Sequence, residues 1–191
     1  MQSVKVTAST QYDILIERGI LKRAGELIKE YTGARRALLI TYRTVDGLSS
    51  KAALDSLKSA GIECEKFVFE DGEEHKSLKT VGDILSFAAG LNLTRSDIFI
   101  ALGGGIVGDV TGFAASTYLR GVRFVQIPTT LLAAVDSSVG GKTGIDLPTG
   151  KNQAGCFYQP SLVLCDPALL SFEFLPCRVR FAEDPSELVF D

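Results

Sequence analysis

A run of glycines follows an apolar stretch near the middle of the chain, where Leu102 precedes Gly103–Gly105 and Asp109 comes shortly after. Glycine lets a backbone approach a phosphate closely, and a helix that begins there presents unpaired N–H groups and a positive dipole end. We therefore expect a diphosphate to bind at this run. A glycine turn that serves only tight packing is the alternative. The run satisfies G-x-G-x-x-G, but the acidic residue of the ordinary dinucleotide fingerprint is missing after the next predicted strand.

A polar turn, Asp71–Lys76, comes directly after another predicted strand. Ligands bind at the carboxyl ends of the strands in open α/β sheets, so the carboxylates of this turn are placed to hold ribose or other hydroxyls. Lys76 is placed to neutralise a phosphate. A solvated charged turn is the alternative interpretation, and His75 taken alone reads as a surface histidine.

A third set of polar residues lies in a glycine-rich stretch towards the end of the chain. It contains Arg120, Asp136, Lys142 and Gly150–Asn152. Three cations and one carboxylate among glycines predict a pocket for a small anionic, hydroxylated molecule. The segment that ends in Lys142-Thr143 resembles a P-loop only superficially, because Asp136 stands where that motif requires its first glycine.

Composition excludes several classes of protein. The chain has 191 residues, 46% hydrophobic and 23% charged, with a net charge of −3. These values are typical of a globular domain and give no attraction to nucleic acid or anionic membranes. No apolar run reaches the roughly 18 residues of a membrane span, and the N-terminus lacks a signal-peptide pattern, so we expect a cytoplasmic protein. One histidine and four cysteines without zinc-site spacing predict reduced thiols and no metal site.

Apolar runs alternate with helical patterns, which is typical of an α/β domain with a mostly parallel sheet. Strands are predicted at Val4–Ala8, Tyr12–Ile16, Ala37–Thr41, Cys64–Phe69, Ile98–Leu102, Phe124–Ile127 and Leu162–Cys165, the first two as an N-terminal pair. Helices are predicted at Ile20–Tyr31, Ser49–Ala60, Leu78–Leu91, Gly108–Leu119 and, as one short turn, Leu131–Val135. The stretch Thr129–Gly155 is otherwise predicted to be loop.

Together these motifs resemble the 3-dehydroquinate synthases, members of the sugar-phosphate cyclase superfamily. The motifs that carry the resemblance are Asp71–Lys76, Ala101–Gly112, Tyr118–Arg123, Pro128–Lys142, Gly150–Asn152 and Phe157–Pro160. The resemblance implies a Rossmann-like three-layer fold, with residues 1–175 as an NAD-binding domain. It also implies conversion of 3-deoxy-arabino-heptulosonate 7-phosphate to 3-dehydroquinate with phosphate release, on the shikimate pathway of aromatic amino acid biosynthesis. Family members commonly form homodimers.

The resemblance also assigns roles to individual residues. Cofactor binding falls to Asp71, Gly72, Glu73, Glu74, His75, Lys76, Gly105, Ile106, Val107, Gly108, Asp109, Thr129, Thr130, Lys142 and Lys151. Binding of the sugar-acid phosphate substrate falls to Arg120, Asp136, Lys142 and Asn152, with Asp136 and Lys142 as the catalytic pair. These residue types suit the task, since Arg and Lys pair with carboxylate and phosphate.

Two departures from the family pattern matter. Many members have Asp or Asn near the position of Tyr42 to hold a ribose hydroxyl. The family also continues into a helical domain whose Glu and histidines bind a divalent metal, zinc or cobalt, whereas residues 176–191 form a divergent tail in which Glu183 is a weak ligand candidate. We therefore expect this chain to be inactive alone. A non-catalytic NAD-binding module, another sugar-phosphate cyclase and a polyol dehydrogenase of the iron-alcohol-dehydrogenase type are the alternatives.

Overall fold

The computed structural model describes residues 1–172, with side chains to residue 170. Glu183 and the predicted tail lie outside the described residues. Within that range the strands are β1 Gln2–Thr7, β2 Gln11–Ile16, β3 Arg36–Tyr42, β4 Glu63–Phe69, β5 Ile98–Gly103, β6 Arg123–Pro128, β7 Lys142–Leu147, β8 Gly150–Phe157 and β9 Leu162–Cys165. The α-helices are α1 Ala24–Thr32, α2 Arg43–Val45, α3 Lys51–Ser59, α4 Leu78–Gly90 and α5 Gly105–Thr117.

Short turns of other helix types connect these elements. The 3₁₀ turns are Ile20–Arg23, Glu73–His75, Tyr118–Arg120 and Leu169–Phe172, and the π turns are Asp46–Ser50 and Ala133–Ser137. The helix predicted from Ile20 is therefore a 3₁₀ turn followed by α1, which ends at Gly33 with a left-handed φ of 64° as its sequence indicates.

Seven of the described strands form one sheet in the order β1-β2-β9-β6-β5-β3-β4. Every neighbouring pair is parallel except β1 with β2, so the mostly parallel sheet and its N-terminal strand pair are confirmed. Successive strand residues point to opposite faces of a sheet. Leu39 packs with α1 and α3 on one face, whereas Leu38 and Ile40 pack with α4 and α5 on the other. The result is a three-layer α/β fold.

The prediction of loop over Thr129–Gly155 is wrong for its second half. β7 and β8 form a separate antiparallel hairpin that packs on α5. Glycines on both strands misled the sequence interpretation, since glycine is usually a turn signal. Here it permits close packing: a Cβ on Gly144 would lie 2.6 Å from the carbonyl oxygen of Ala154. The hairpin carries Lys142 and Asn152, so it belongs to the candidate site.

None of the helices in residues 1–172 combines the length and the hydropathy that crossing a bilayer requires.

Candidate functional site

The carboxyl ends of β3, β4 and β5 meet at one edge of the sheet, next to the start of α5. A cavity of about 280 Å³ lies there, which we call the edge cavity. Its lining residues are Tyr42, Phe69, Glu70, Asp71, Gly72, Gly104, Gly105, Ile106 and Thr130. Ligands of open α/β sheets bind at this position. The two aromatic rings meet edge-on with centroids 6.4 Å apart, so the wall next to the carboxylates is apolar.

The start of α5 is open to a ligand. Gly104 is the N-cap and supplies no side chain to cap the helix, and the first bond of the helix runs from Gly108 N–H to the Gly104 carbonyl at 3.1 Å. The amides of residues 105–107 therefore have no helical acceptor. The sequence placed the start of this helix at Gly108, whereas it begins at Gly105, so Gly105–Asp109 form its first turn.

Thr129 and Thr130 lie beside this helix start, at the end of β6. The Thr129 hydroxyl oxygen is buried and has no hydrogen-bond partner among the described residues, while the residue is only 9% exposed. The Thr130 hydroxyl accepts a hydrogen bond from the Ala133 amide at 3.2 Å. An unpaired buried hydroxyl costs free energy unless a ligand or water satisfies it. The amides at the helix start, which lie beside Thr130 at the edge cavity, are suited to bind an anion.

A second cavity of about 530 Å³, which we call the hairpin cavity, lies between α5, the π turn Ala133–Ser137 and the hairpin of β7 and β8. It is lined by Asp109, Asp136, Ser137, Val139, Lys142, Thr143, Gly144, Asn152, Gln153, Gly155, Cys156 and Phe157. The structure therefore brings together three of the four residues predicted to face the substrate. Asp136, Lys142 and Asn152 are exposed and present a carboxylate, an ammonium and an amide to one space. Such groups suit an anionic polyhydroxy compound.

Asp109 and Lys76 form an ion pair between the two cavities. The Lys76 Nζ lies 2.7 Å from the Asp109 Oδ2, and the two side chains are only 7% and 18% exposed. The same Nζ donates to the side-chain oxygen of Asn152. Burial raises the pKa of the Asp109 carboxyl, and the neighbouring ammonium opposes that rise. Lys76 is thus held by protein groups.

The remaining predicted residues divide into two groups. Asp71 lines the edge cavity and accepts the Thr44 amide at 3.1 Å, and Lys151 lies 3.0 Å from Glu73 across the mouth of the site. The predicted residues that line neither cavity are Glu73, Glu74, His75, Lys76, Val107, Gly108, Arg120, Thr129 and Lys151.

Arg120 is exposed beyond the far end of α5, whose 13 residues span about 20 Å. Arg120 therefore lies far from the start of α5, and it is not among the residues that line the hairpin cavity. Arg120 is part of a tight turn after α5, in which Leu119 and Arg120 both have positive φ. The substrate contact predicted for Arg120 stays a prediction.

Sequence reasoning assigned no role to several residues that line the site or lie beside it. Ser137 lies between the cavities, with its hydroxyl 3.1 Å from where a Cβ on Gly105 would lie. Tyr42 lines the edge cavity where an Asp or Asn was expected, and Asp146 accepts the Asn152 amide at 2.7 Å. Ser137 stands inside the motif that was singled out, so its position was a usable signal. Asp146 carried no such signal.

The donors needed for a metal site are not assembled in the described part of the chain. No group of three or more His, Cys, Asp or Glu side chains is close enough there to hold an ion. The residues described do not fit the divalent metal that the family resemblance implies.

Comparison with known proteins finds a matching family and matching curated proteins. A family described as "3-dehydroquinate synthase N-terminal" matches residues 66–178. A 3-dehydroquinate synthase of Streptococcus sanguinis is 50% identical over 159 residues, which are 83% of this chain and 45% of that protein. A 3-dehydroquinate synthase of Streptococcus pneumoniae is 48% identical over 159 residues, which are again 83% of this chain and 45% of that protein. The chain thus spans less than half the length of the curated relatives it matches.

Solved structures show the same fold. A 2-deoxy-scyllo-inosose synthase complexed with carbaglucose-6-phosphate, NAD+ and Co2+ matches with a TM-score of 0.81 and 28% identity, over 89% of this chain and 47% of that one. A 2-epi-5-epi-valiolone synthase of Streptomyces hygroscopicus with NAD+ and Zn2+ bound matches with 0.76 and 29%, over 87% and 46%. A glycerol dehydrogenase of Schizosaccharomyces pombe matches with 0.65 and 21%, over 82% and 37%, and supports the fold alone.

The family match covers more than half of the chain, and the residues that it covers include both cavities' polar groups apart from Tyr42. The chain belongs to the 3-dehydroquinate synthase N-terminal family.

Proposed function

We propose that this chain is the NAD-binding part of a 3-dehydroquinate synthase, with residues 1–175 as the NAD-binding domain. The observation that carries the proposal is the uncapped start of α5, where Gly104, Gly105 and Ile106 line the edge cavity together with Thr130. The amides of residues 105–107 are suited to the diphosphate. The sugar-phosphate cyclases with which it shares the fold were solved with NAD+ bound.

The adenosine side of the dinucleotide fits the edge cavity. Its apolar wall of Tyr42 and Phe69 suits a planar base, and the Asp71 carboxylate suits a ribose hydroxyl. Asp71 is already held by the Thr44 amide, which fixes its orientation. Tyr42 offers a phenolic hydroxyl in place of the carboxamide or carboxylate of many family members.

The hairpin cavity is the proposed place of the substrate, 3-deoxy-arabino-heptulosonate 7-phosphate. When bound, NAD supplies reversible hydride acceptance, which makes the C–H beside the oxidised carbon acidic. Lys142 is suited to bind the phosphate or carboxylate, and Asn152 to orient hydroxyls. Asp136, exposed at the cavity wall, is suited to hold a hydroxyl or to accept a proton from it. The reaction ends in loss of phosphate and ring closure to 3-dehydroquinate.

The biological setting is also a proposal. The proposed substrate belongs to the shikimate pathway. The sequence predicts a cytoplasmic protein, and the family resemblance implies a homodimer. Its partner is a small sugar-acid phosphate, with no nucleic acid and no membrane involved. The fold shared with a cyclase that was solved with a sugar-phosphate analogue supports the substrate class.

Calorimetry with NAD tests the proposal. In Gly105→Val, a Cβ would lie 3.1 Å from the Ser137 hydroxyl, and the two added methyl groups would crowd the helix start. We expect NAD affinity to fall at least about tenfold, which is ~1.4 kcal/mol. Gly82→Val is the matched control, because nothing lies within 4 Å of a Cβ at that exposed helical position. Equal NAD affinity in wild type and Gly105→Val, with both folded by circular dichroism, would contradict the diphosphate assignment.

A further inference from the structure

Lys76 carries a charge that the protein, and not the solvent, compensates. Its side chain is 7% exposed, and the Nζ lies 2.7 Å from the Asp109 Oδ2. The Nζ also donates to the Asn152 side-chain oxygen, 76 residues further along the chain. A buried ammonium needs such partners, because removing it from water is costly. The contact therefore joins three elements: the turn after β4, the first turn of α5 and the hairpin.

The backbone around Lys76 makes the same connection. The Lys76 carbonyl accepts the Asp146 amide at 2.9 Å, and the Asp146 carboxylate accepts the Asn152 amide at 2.7 Å. Asn152 has a left-handed φ of 55°, a conformation that asparagine adopts more readily than most residues. The tip of the hairpin, residues 146–152, is thus held on the turn after β4 through both the main chain and the side chain of Lys76.

A second ion pair crosses the same gap but contributes less. Lys151 Nζ lies 3.0 Å from Glu73 Oε1, with side chains that are 70% and 48% exposed. Exposed pairs are screened by solvent and are worth little. The buried Lys76 contact is therefore the one that determines where the hairpin tip lies.

We propose that Lys76 is a positioning residue that links the edge cavity to the hairpin cavity. It fixes the side chain of Asn152 over the hairpin cavity through the contact of its Nζ with the side-chain oxygen of Asn152. The turn after β4 supplies Asp71 and Gly72 to the edge cavity, and its last residue holds the hairpin tip. A ligand that orders this turn therefore also orders the tip. The second part of the inference rests on the proposed binding of NAD.

Hydrogen exchange in the free protein tests the link without any ligand. In Lys76→Met, which keeps the length of the chain but removes the charge, amides of residues 146–152 should exchange at least about tenfold faster. Amides of β9 should not change. Lys79→Met is the matched control, since Lys79 is 85% exposed and pairs only with Asp83 on its own helix among the described residues. Unchanged exchange at the tip in Lys76→Met would overturn the inference.

A double variant separates positioning from charge burial. Lys76→Met alone leaves the Asp109 carboxylate buried without its partner, so the whole fold could be destabilised. Lys76→Met combined with Asp109→Asn removes that charge and should restore the exchange protection of β9 to the wild-type value. The hairpin tip should still exchange faster. Restored protection at both places would mean that Lys76 only balances a buried charge, which would overturn the inference.

Addition of NAD completes the test. In wild type, saturating NAD should slow exchange at residues 146–152. In Lys76→Met, at the NAD concentration that calorimetry shows to be saturating for this variant, exchange at the tip should stay faster than in NAD-bound wild type. NAD that binds wild type but leaves the tip unchanged would overturn the link. Loss of NAD binding in Lys76→Met with an unchanged tip would make Lys76 a direct ligand. If wild type binds no NAD, the proposed function fails, while the comparison of free proteins still decides whether Lys76 holds the tip.

Discussion

Replacing Gly112 by alanine tests how the hairpin is held against α5. A Cβ at Gly112 would meet the buried Thr143 methyl group of β7 and would lie 3.1 Å from the Phe124 ring. Gly82, on α4, is the matched position, because its Cβ would meet nothing within 4 Å. Both glycines are inside helices with ordinary backbone angles, so the two variants differ mainly in what the new methyl group touches.

The two effects of alanine can be compared in size. Replacing glycine by alanine inside a helix raises the free energy of unfolding by roughly 0.5–1 kcal/mol, and this is the whole effect that we expect for Gly82→Ala. Overpacking a core contact costs roughly 1–3 kcal/mol. We therefore expect Gly112→Ala to lower the free energy of unfolding by up to about 2 kcal/mol, because Thr143 and Phe124 are both buried and cannot move into solvent.

Urea unfolding followed by circular dichroism measures both variants. Thr143→Ser in the Gly112→Ala background removes the methyl group that collides but keeps the hydroxyl, which donates to the Cys156 carbonyl at 2.9 Å. It should recover part of the lost stability, although Thr143→Ser alone should be mildly destabilising. If Gly112→Ala stabilises the protein as much as Gly82→Ala, the close approach of α5 and β7 does not hold the hairpin.

Two further predictions concern other buried groups. Asp166 is 3% exposed, and its carboxylate accepts the amides of Gly19 at 2.8 Å and Ala168 at 2.9 Å, so Asp166→Ala should lower the free energy of unfolding by about 3 kcal/mol and Asp166→Asn by less. A loss below about 1 kcal/mol in Asp166→Ala by urea unfolding would show that the hydrogen bonds to this carboxylate contribute little. Burial raises the pKa of the Cys64 thiol to about 12 and that of Cys165 to about 11, so alkylation of both at pH 8 should be on the order of a hundredfold slower in the native protein than in urea, as read by peptide mass spectrometry. Native labelling at the unfolded rate would refute the burial.

Local signals were enough for most of the fold. Alternating apolar runs and helical patterns predicted every strand of the large sheet, because a buried parallel strand requires a continuous apolar run. Helix ends were also predicted where a glycine has positive φ, at Gly33 and Gly61. Boundaries moved by a few residues, most clearly at α5, which begins at Gly105 and not at Gly108.

The hairpin could not be predicted in this way. Its strands carry Lys142, Asn152 and three glycines, a composition typical of loops. It folds because Ile145 and Thr143 are buried, and because Gly112 and Gly155 leave room for backbones to approach. This burial depends on the surface that α5 presents to the hairpin, and the sequence of the two strands does not reveal that surface.

The site shows the same division between sequence and tertiary structure. By itself the sequence determined which chemical groups are available: a glycine run before a helix, a carboxylate-rich turn, and lysines beside an asparagine. Only the tertiary structure decided that Lys76 is buried against Asp109 and Asn152, and that Arg120 is exposed at the far end of α5. The physical reason is that burial and ion pairing depend on residues far apart in the chain, such as 76 and 152, whereas helix and strand patterns depend on neighbours.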